Sequence, residues 1–305
     1  MSRLDESASG IFIISVTPFR QDGALDLDST ASLVEFYLEC GAAGLTILGM
    51  MGEAPKLTEP EAIAFSRAVI ARVGGRVPVV VGVSSPGLTA MGSLAAQVMD
   101  DGAAGVMVAP AAGLRTDDAI VGYFHDVAET LRGAPFVLQD FPQATAVQLA
   151  PKVIARVVQD LPDCVMLKHE DWPGLNKISI LRATAMRRIS ILTGNGGLFL
   201  PEELRRGADG AMTGFAYPEM MTGVAAAHAA GDTERAADLF DAYLPLARYE
   251  LQPGPGLAVR KYVLQQRGAI ASAAQRRPAT QLTPADLADV AWLVRRQERR
   301  LAELG

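Results

Sequence analysis

Eight short apolar runs recur along this chain, and segments of helical period separate them. That alternation narrows the possible folds more than any other feature. The runs are residues 11–16, 44–48, 77–83, 105–109, 135–138, 164–167, 189–192 and 210–213. They are β-branched or leucine-rich with little polar alternation, as expected of strands buried on both faces of a parallel sheet. Residues 27–40 place Leu27, Leu33, Val34, Tyr37 and Leu38 on one helical stripe. Thr58 with Glu61 three residues on is a capping-box pattern that opens the next helix. Residues 117–131, 147–158, 175–187 and 201–206 continue the series, and Pro201 suits a first helical turn. Eight βα units in succession predict an α/β fold, the (β/α)8 TIM barrel. A doubly wound open sheet is the competing architecture, but no G-x-G-x-x-G fingerprint follows the first strand.

A single barrel occupies about 250 residues, so a chain of 305 residues leaves room for an appendage rather than a second equal domain. Strand signals stop near residue 225. Residues 225–230, 233–249, 256–266 and 284–303 read as helices, with Gln-Pro-Gly-Pro-Gly at 252–256 breaking the run. The expected division is a barrel over 1–225 and a C-terminal helical domain over 226–305.

The formal net charge of -6 argues against a nucleic-acid or membrane-surface binder, which needs a basic face. No apolar run approaches the ~18 residues of a membrane span. Residues 1–10 lack the charged start and apolar stretch of a signal peptide, so a cytoplasmic location is expected. Cys40 and Cys164 have neither disulfide-framework nor metal-ligand spacing and read as reduced core residues. His125, His169 and His228 form no motif with them, so no metal site is expected.

Barrel active sites lie at the C-terminal ends of the strands. Four segments there carry chemistry-bearing residues. In the first, Lys168 directly ends an apolar strand. A lysine buried in a barrel loses hydration, and its neutral amine becomes a nucleophile toward carbonyls. An ordinary solvated loop lysine is the alternative. Strand alternation puts Glu170 on the side of Lys168 and His169 on the other. Glu170 is then a candidate proton carrier, against a solvated acidic loop, and His169 a candidate structural hydrogen-bonder. In the second, Gly49-Met50-Met51-Gly52-Glu53 brings backbone N–H groups close enough to hold a carboxylate, unless it is only a tight turn. In the third, Gln139 points into the barrel and Asp140 away from it. In the fourth, the turn containing Gly194 and Asn195 precedes a helix and could bind an anion.

Together these segments resemble the dihydrodipicolinate synthase / N-acetylneuraminate lyase family, over nearly the whole chain to about residue 268. Ser15-Val16-Thr17-Pro18-Phe19 matches the family's opening strand motif. Gly49-Met50-Met51-Gly52-Glu53-Ala54 with Leu57-Thr58 matches its G-T-T-G-E-x-x-x-L-T segment. Residues 74–83 match its G-R-V-P-V-x-x-G-V strand, Leu167-Lys168 the strand that presents a Schiff-base lysine, and Gly207-Ala208-Asp209-Gly210 its G-A-x-G. The resemblance implies a barrel with a helical C-terminal domain, usually a homotetramer. It also implies that Lys168 condenses with the ketone of pyruvate or a related 2-oxo acid. The protonated imine is an electron sink, so C–C or C–O bonds beta to it form or break with no metal or organic cofactor.

Departures from the family pattern bear on specificity. The family's paired threonines are Met50 and Met51 here, which leaves only backbone donors. Its proton-carrying tyrosine aligns with Gln139, which cannot titrate. The synthase-branch arginine aligns with Ala144, and the tyrosine pair after the fourth strand with Ala111 and Ala112. One of that pair is exchanged between subunits in the synthase branch, so a dimer is favoured over the tetramer. The residues set out as catalytic are Lys168, Glu170 and Gln139. Those set out as substrate-binding are Met50, Met51, Glu53, Asp140, Gly194, Asn195 and Met212. The expected activity is a class I lyase, aldolase or dehydratase, that is not a working dihydrodipicolinate synthase. The alternative is a catalytically silent homologue that binds a metabolite and regulates or scaffolds.

Overall fold

A computed structural model describes residues 3–305. The eight apolar runs become eight parallel strands: β1 (Gly10–Ile14), β2 (Gly44–Ile47), β3 (Val79–Gly82), β4 (Gly105–Val108), β5 (Phe136–Asp140), β6 (Cys164–His169), β7 (Ser190–Thr193) and β8 (Gly210–Thr213). They pair in sequence order, and β8 pairs back onto β1, closing a (β/α)8 barrel and excluding the open sheet. Gly10 lies opposite Gly210 at the seam. A Cβ at Gly210 would stand 1.9 Å from the Gly10 carbonyl oxygen, at φ +149. Only glycine lets the two backbones approach so closely.

Side chains alternate across the barrel wall. Ile11, Ile13, Leu45, Ile47, Val79 and Val81 face the surrounding helices. Phe12, Ile14, Val80, Met107, Val137, Met166, Leu192 and Met212 fill the interior. Both faces are apolar, which is why these strands show no polar alternation in sequence.

The helices of the barrel layer are α1 (Leu27–Glu39), α2 (Glu59–Val73), α3 (Leu88–Asp100), α4 (Asp117–Leu131), α5 (Pro142–Thr145), α6 (Pro151–Asp160), α7 (Leu175–Ala183), α8 (Leu200–Arg205) and α9 (Pro218–Ala229). The Thr58–Glu61 capping box forms, with the Thr58 amide donating to Glu61 Oε2 at 2.9 Å. Three boundaries differ from the sequence reading. The helix expected at 147 starts at Pro151, where proline takes the first turn and needs no N–H partner. Helix α7 stops at Ala183. Arg187, expected within it, instead donates to the carbonyls of Val158, Leu161 and Cys164. Helix α9 starts at Pro218, ahead of the helix expected over 225–230, and ends at Ala229.

Helices α10 (Thr233–Glu250), α11 (Gly256–Gln266) and α12 (Pro284–Glu303) form the C-terminal appendage, with α10 packed on α9, α11 and α12. No described helix is long and apolar enough to cross a membrane.

Candidate active site

A β-bulge decides which way Lys168 points. Phe136 of β5 lies opposite Cys164 of β6, but the next residue, Val137, lies opposite Met166. One extra residue on β6 therefore shifts the phase of its alternation. Cys164 and Leu167 both face the helices, three positions apart, while Val165 and Met166 both belong to the interior cluster. Strict alternation from Cys164 would have turned Lys168 outward. With the bulge, Lys168 stands inside the barrel directly beside Gln139, its partner in the ladder.

Lys168, Glu170 and Gln139 meet there. Lys168 Nζ lies 2.9 Å from Glu170 Oε2, with only 6% and 9% of the two side chains exposed. Gln139 Nε2 donates to the same oxygen at 2.7 Å. Two donors thus converge on one buried carboxylate oxygen. Burial of an ion pair is expensive unless hydrogen bonds support it, and Gln139 supplies one. Gly194 makes room for the carboxylate, since a Cβ there would come within 2.3 Å of Glu170 Cγ and 2.5 Å of Oε1. Gly194→Ala is therefore expected to push Glu170 off Lys168 and to cost about 1–3 kcal/mol by overpacking. Thermal melting and a crystal structure of the variant check this; an intact 2.9 Å contact would contradict it.

The other expected residues divide. Met51 is half-buried against the interior cluster and Met212 is buried within it, so both belong to the apolar floor. Met50 is 58% exposed in the short 3-10 turn Met50–Gly52. Asn195 is half-buried at φ 52, heading the turn Asn195–Gly197.

Two residues set out as substrate-binding are held by other side chains of the protein. Glu53 is buried and its carboxylate is fully engaged by Lys261 Nζ at 2.6 Å, Lys56 Nζ at 2.9 Å and the Arg276 amide at 3.0 Å. It ties the C-terminal region to the β2 loop, with donors on both carboxylate oxygens. Asp140 faces away from Lys168, as alternation requires. Its Oδ2 is 3.1 Å from His169 Nδ1 and 2.7 Å from Lys177 Nζ, between the barrel and α7.

Sequence reasoning missed Lys177, Gln143 and Glu203. Lys177 reads as an ordinary helix lysine, yet it is buried and also reaches Asp171 at 3.1 Å. Gln143, with its amide turned to satisfy both neighbours, donates to the Glu170 carbonyl at 3.0 Å and accepts from the Trp172 amide at 3.3 Å. Glu203 is buried on α8. Burial pushes its carboxyl up to about 7, opposed by a hydrogen bond from Thr193 and by nearby His169. The folded form therefore holds a proton between the ordinary 4.5 and about 7 that the unfolded chain has released. The stabilisation is full below 4.5 and is lost as pH rises through about 7. Its size is at most about 3 kcal/mol. Glu203→Gln should flatten the stability-pH curve across that window in denaturant titrations. An unchanged slope would refute the assignment.

The model of the dihydrodipicolinate synthetase family matches residues 7–297. The chain belongs to this family. Among its relatives, an L-2-keto-3-deoxyarabonate dehydratase from Azospirillum brasilense is 31% identical over 94% of each chain. A 4-hydroxy-tetrahydrodipicolinate synthase from Sorangium cellulosum is 32% identical over 96% of this chain and 97% of that one. The solved structure of a dihydrodipicolinate synthase from Rhodopseudomonas palustris is 50% identical, with a TM-score of 0.95, covering 97% of this chain and 100% of that one. The dihydrodipicolinate synthetase family therefore contains, among the relatives of this chain, both dehydratases and synthases by name.

Proposed function

We propose that this protein is a Schiff-base lyase that acts on a pyruvate-like 2-oxo acid through Lys168. The contact between Lys168 Nζ and Glu170 Oε2 carries the reading. The carboxylate can take a proton from the ammonium, freeing the amine to attack the C2 ketone. Loss of water from the carbinolamine leaves an iminium. Glu170, holding no proton at this point once solvent has relieved it, removes one from C3. The C3–H electron pair forms the enamine C2=C3 bond, and the iminium nitrogen accepts the displaced pair. In a dehydratase, the enamine then expels the C4 hydroxyl, which leaves as water with the proton from Glu170. In an aldolase, the iminium keeps its C3 protons, and the base takes the C4 hydroxyl proton instead. The C3–C4 bond breaks to release an aldehyde, its electron pair forms the enamine C2=C3 bond, and C3 is then reprotonated. Hydrolysis of the remaining imine returns Lys168, so dehydration releases one net water.

Glu170 thereby fills the role that the resemblance gives to a tyrosine at position 139. Gln139 orients the carboxylate but cannot carry a proton. The methionines at 50 and 51 and the alanines at 111, 112 and 144 also speak against synthase chemistry. The relative named as a deoxyarabonate dehydratase supports the dehydratase branch. The same reading carries a homo-oligomer, a dimer or tetramer, in the cytoplasm, with a small-molecule substrate and no organic cofactor.

The test is product analysis by NMR over a panel of 2-oxo-3-deoxy sugar acids, alongside pyruvate with aspartate semialdehyde. Loss of water or C–C cleavage from a 2-oxo acid, without turnover of the synthase pair, is the expected result. Synthase turnover at an ordinary enzymatic rate of ~1–10³ s⁻¹ would overturn the specificity. Folded protein inert toward every acid would point to a silent binding homologue.

A further inference from the structure

Behind the reactive face lies a second buried polar cluster that the chemistry above does not use. Each inward residue of the candidate site has an outward neighbour in it: Asp140 follows Gln139, and His169 stands between Lys168 and Glu170. Asp140 Oδ2 receives both His169 Nδ1 at 3.1 Å and Lys177 Nζ at 2.7 Å. His169 Nε2 lies 3.0 Å from the Gly174 carbonyl, so its two ring nitrogens face two acceptors. Lys177 also holds Asp171 at 3.1 Å. Asp171 in turn accepts from the Trp172 amide at 2.8 Å.

These bonds share one target, the five-residue connection Glu170 to Gly174 between β6 and α7. Lys177 and His169 grip it at Asp171 and Gly174, while the Glu170 amide donates to the Asp140 carbonyl at 2.8 Å. A Cβ at Gly174 would lie 2.6 Å from His169 Nε2, so the connection closes directly onto the ring. The Asp140 and His169 side chains are 0% and 1% exposed, and that of Lys177 is 8% exposed. Apolar side chains of the same volume would hold α7 on the sheet without the desolvation cost. What the charged set adds is direction: hydrogen bonds fix the angle at which the chain leaves β6, and Glu170 is the first residue on that path.

We propose that Asp140, His169 and Lys177 are positioning residues that hold Glu170 against Lys168 by anchoring the connection from Glu170 to Gly174. The inference rests on the Schiff-base reading and extends it to residues that never touch substrate. It separates two steps. Imine formation needs Lys168, which the network does not contact; Glu170 affects only how fast the amine is freed, so the adduct trapped after long incubation, at equilibrium, is spared. Proton removal from C3 needs Glu170 in place.

Both steps can be read with pyruvate as the probe. Borohydride reduction and intact mass report the imine; exchange of the pyruvate methyl protons in D2O, followed by NMR, reports C3 proton transfer. His169→Gln and Lys177→Met should still trap pyruvate to within about twofold of the parent, while exchange falls by about tenfold or more, since small displacements at a reacting centre are costly. Lys177→Arg, which keeps a cation between the two aspartates, should recover most of the exchange. A merely structural role would lower the melting temperature and leave the ratio of exchange to trapping unchanged. Should either variant fail to fold, Asp140→Asn removes the shared acceptor charge at nearly constant volume and is read the same way. Normal exchange in folded variants that trap pyruvate overturns the positioning role alone. No trapping by the parent protein removes the Schiff-base reading, and the positioning role with it.

Discussion

Lys168→Met is expected to lower turnover of any 2-oxo acid substrate by about 10³-fold or more, because the covalent route disappears with the amine. Lys168→Arg should do the same for a different reason. The guanidinium keeps a positive charge against Glu170, yet it stays protonated and cannot form an imine. The pair of variants separates charge from nucleophilicity. Methionine leaves Glu170 buried beside Gln139 alone, so it should also destabilise the fold by a few kcal/mol. Arginine should retain more of the stability and none of the activity. Steady-state kinetics with circular-dichroism melting reads both effects. Substantial turnover in either variant would show that the chemistry does not pass through Lys168.

The largest stability effect is expected at Glu53. Lys261 is the partner at stake: its side chain is fully buried, 2.6 Å from Glu53 Oε1. Burial pushes its ammonium down to about 8, and the charge on Glu53 is the main force that opposes this. Glu53→Ala leaves that buried ammonium without its counter-charge, holding only the Ala274 carbonyl at 2.8 Å, and also removes an acceptor of Lys56 and of the Arg276 amide. The cost should be about 3–5 kcal/mol, a fall in melting temperature on the order of 10 °C. The second change Lys261→Met should restore part of the loss, since the interior then holds neither charge. Full additivity of the two changes would mean that they do not act as a pair.

Glu53 also shows where sequence reading stopped. Its position after Gly49-Met50-Met51-Gly52 suggested a ligand-facing loop. Its partners Lys261 and Arg276 lie more than 200 residues away in the chain, and nothing local announces them. Asp140 is similar. Alternation correctly turned it from Lys168, but the histidine and lysine waiting on the outer side come from β6 and α7. Lys177 itself reads as one more solvated helix lysine. Long-range polar pairs of this kind carry no periodic signature.

The barrel was legible because its strands are apolar on both faces and its helices are striped, and both patterns are local. Eight repeats of one unit left closure as the simplest arrangement, and the Gly10–Gly210 seam completes it. The direction of Lys168 was less secure. Its relation to Glu170 follows from alternation, whereas its inward orientation depends on the bulge between Cys164 and Met166. No residue type in Cys-Val-Met-Leu marks a bulge. Helix ends tracked the prolines at 151 and 218 more closely than the apolar stripe did, because a proline fixes a first turn whichever residues come after it.

The proposed chemistry turns on a covalent bond to one amine. The protein should be incubated with pyruvate and a panel of 2-oxo acids, reduced with borohydride, digested and mapped by peptide mass. An adduct confined to the Lys168 peptide, absent without the acid, is the predicted result. Folded protein that gives no adduct with any acid, or an adduct on another lysine, would contradict it.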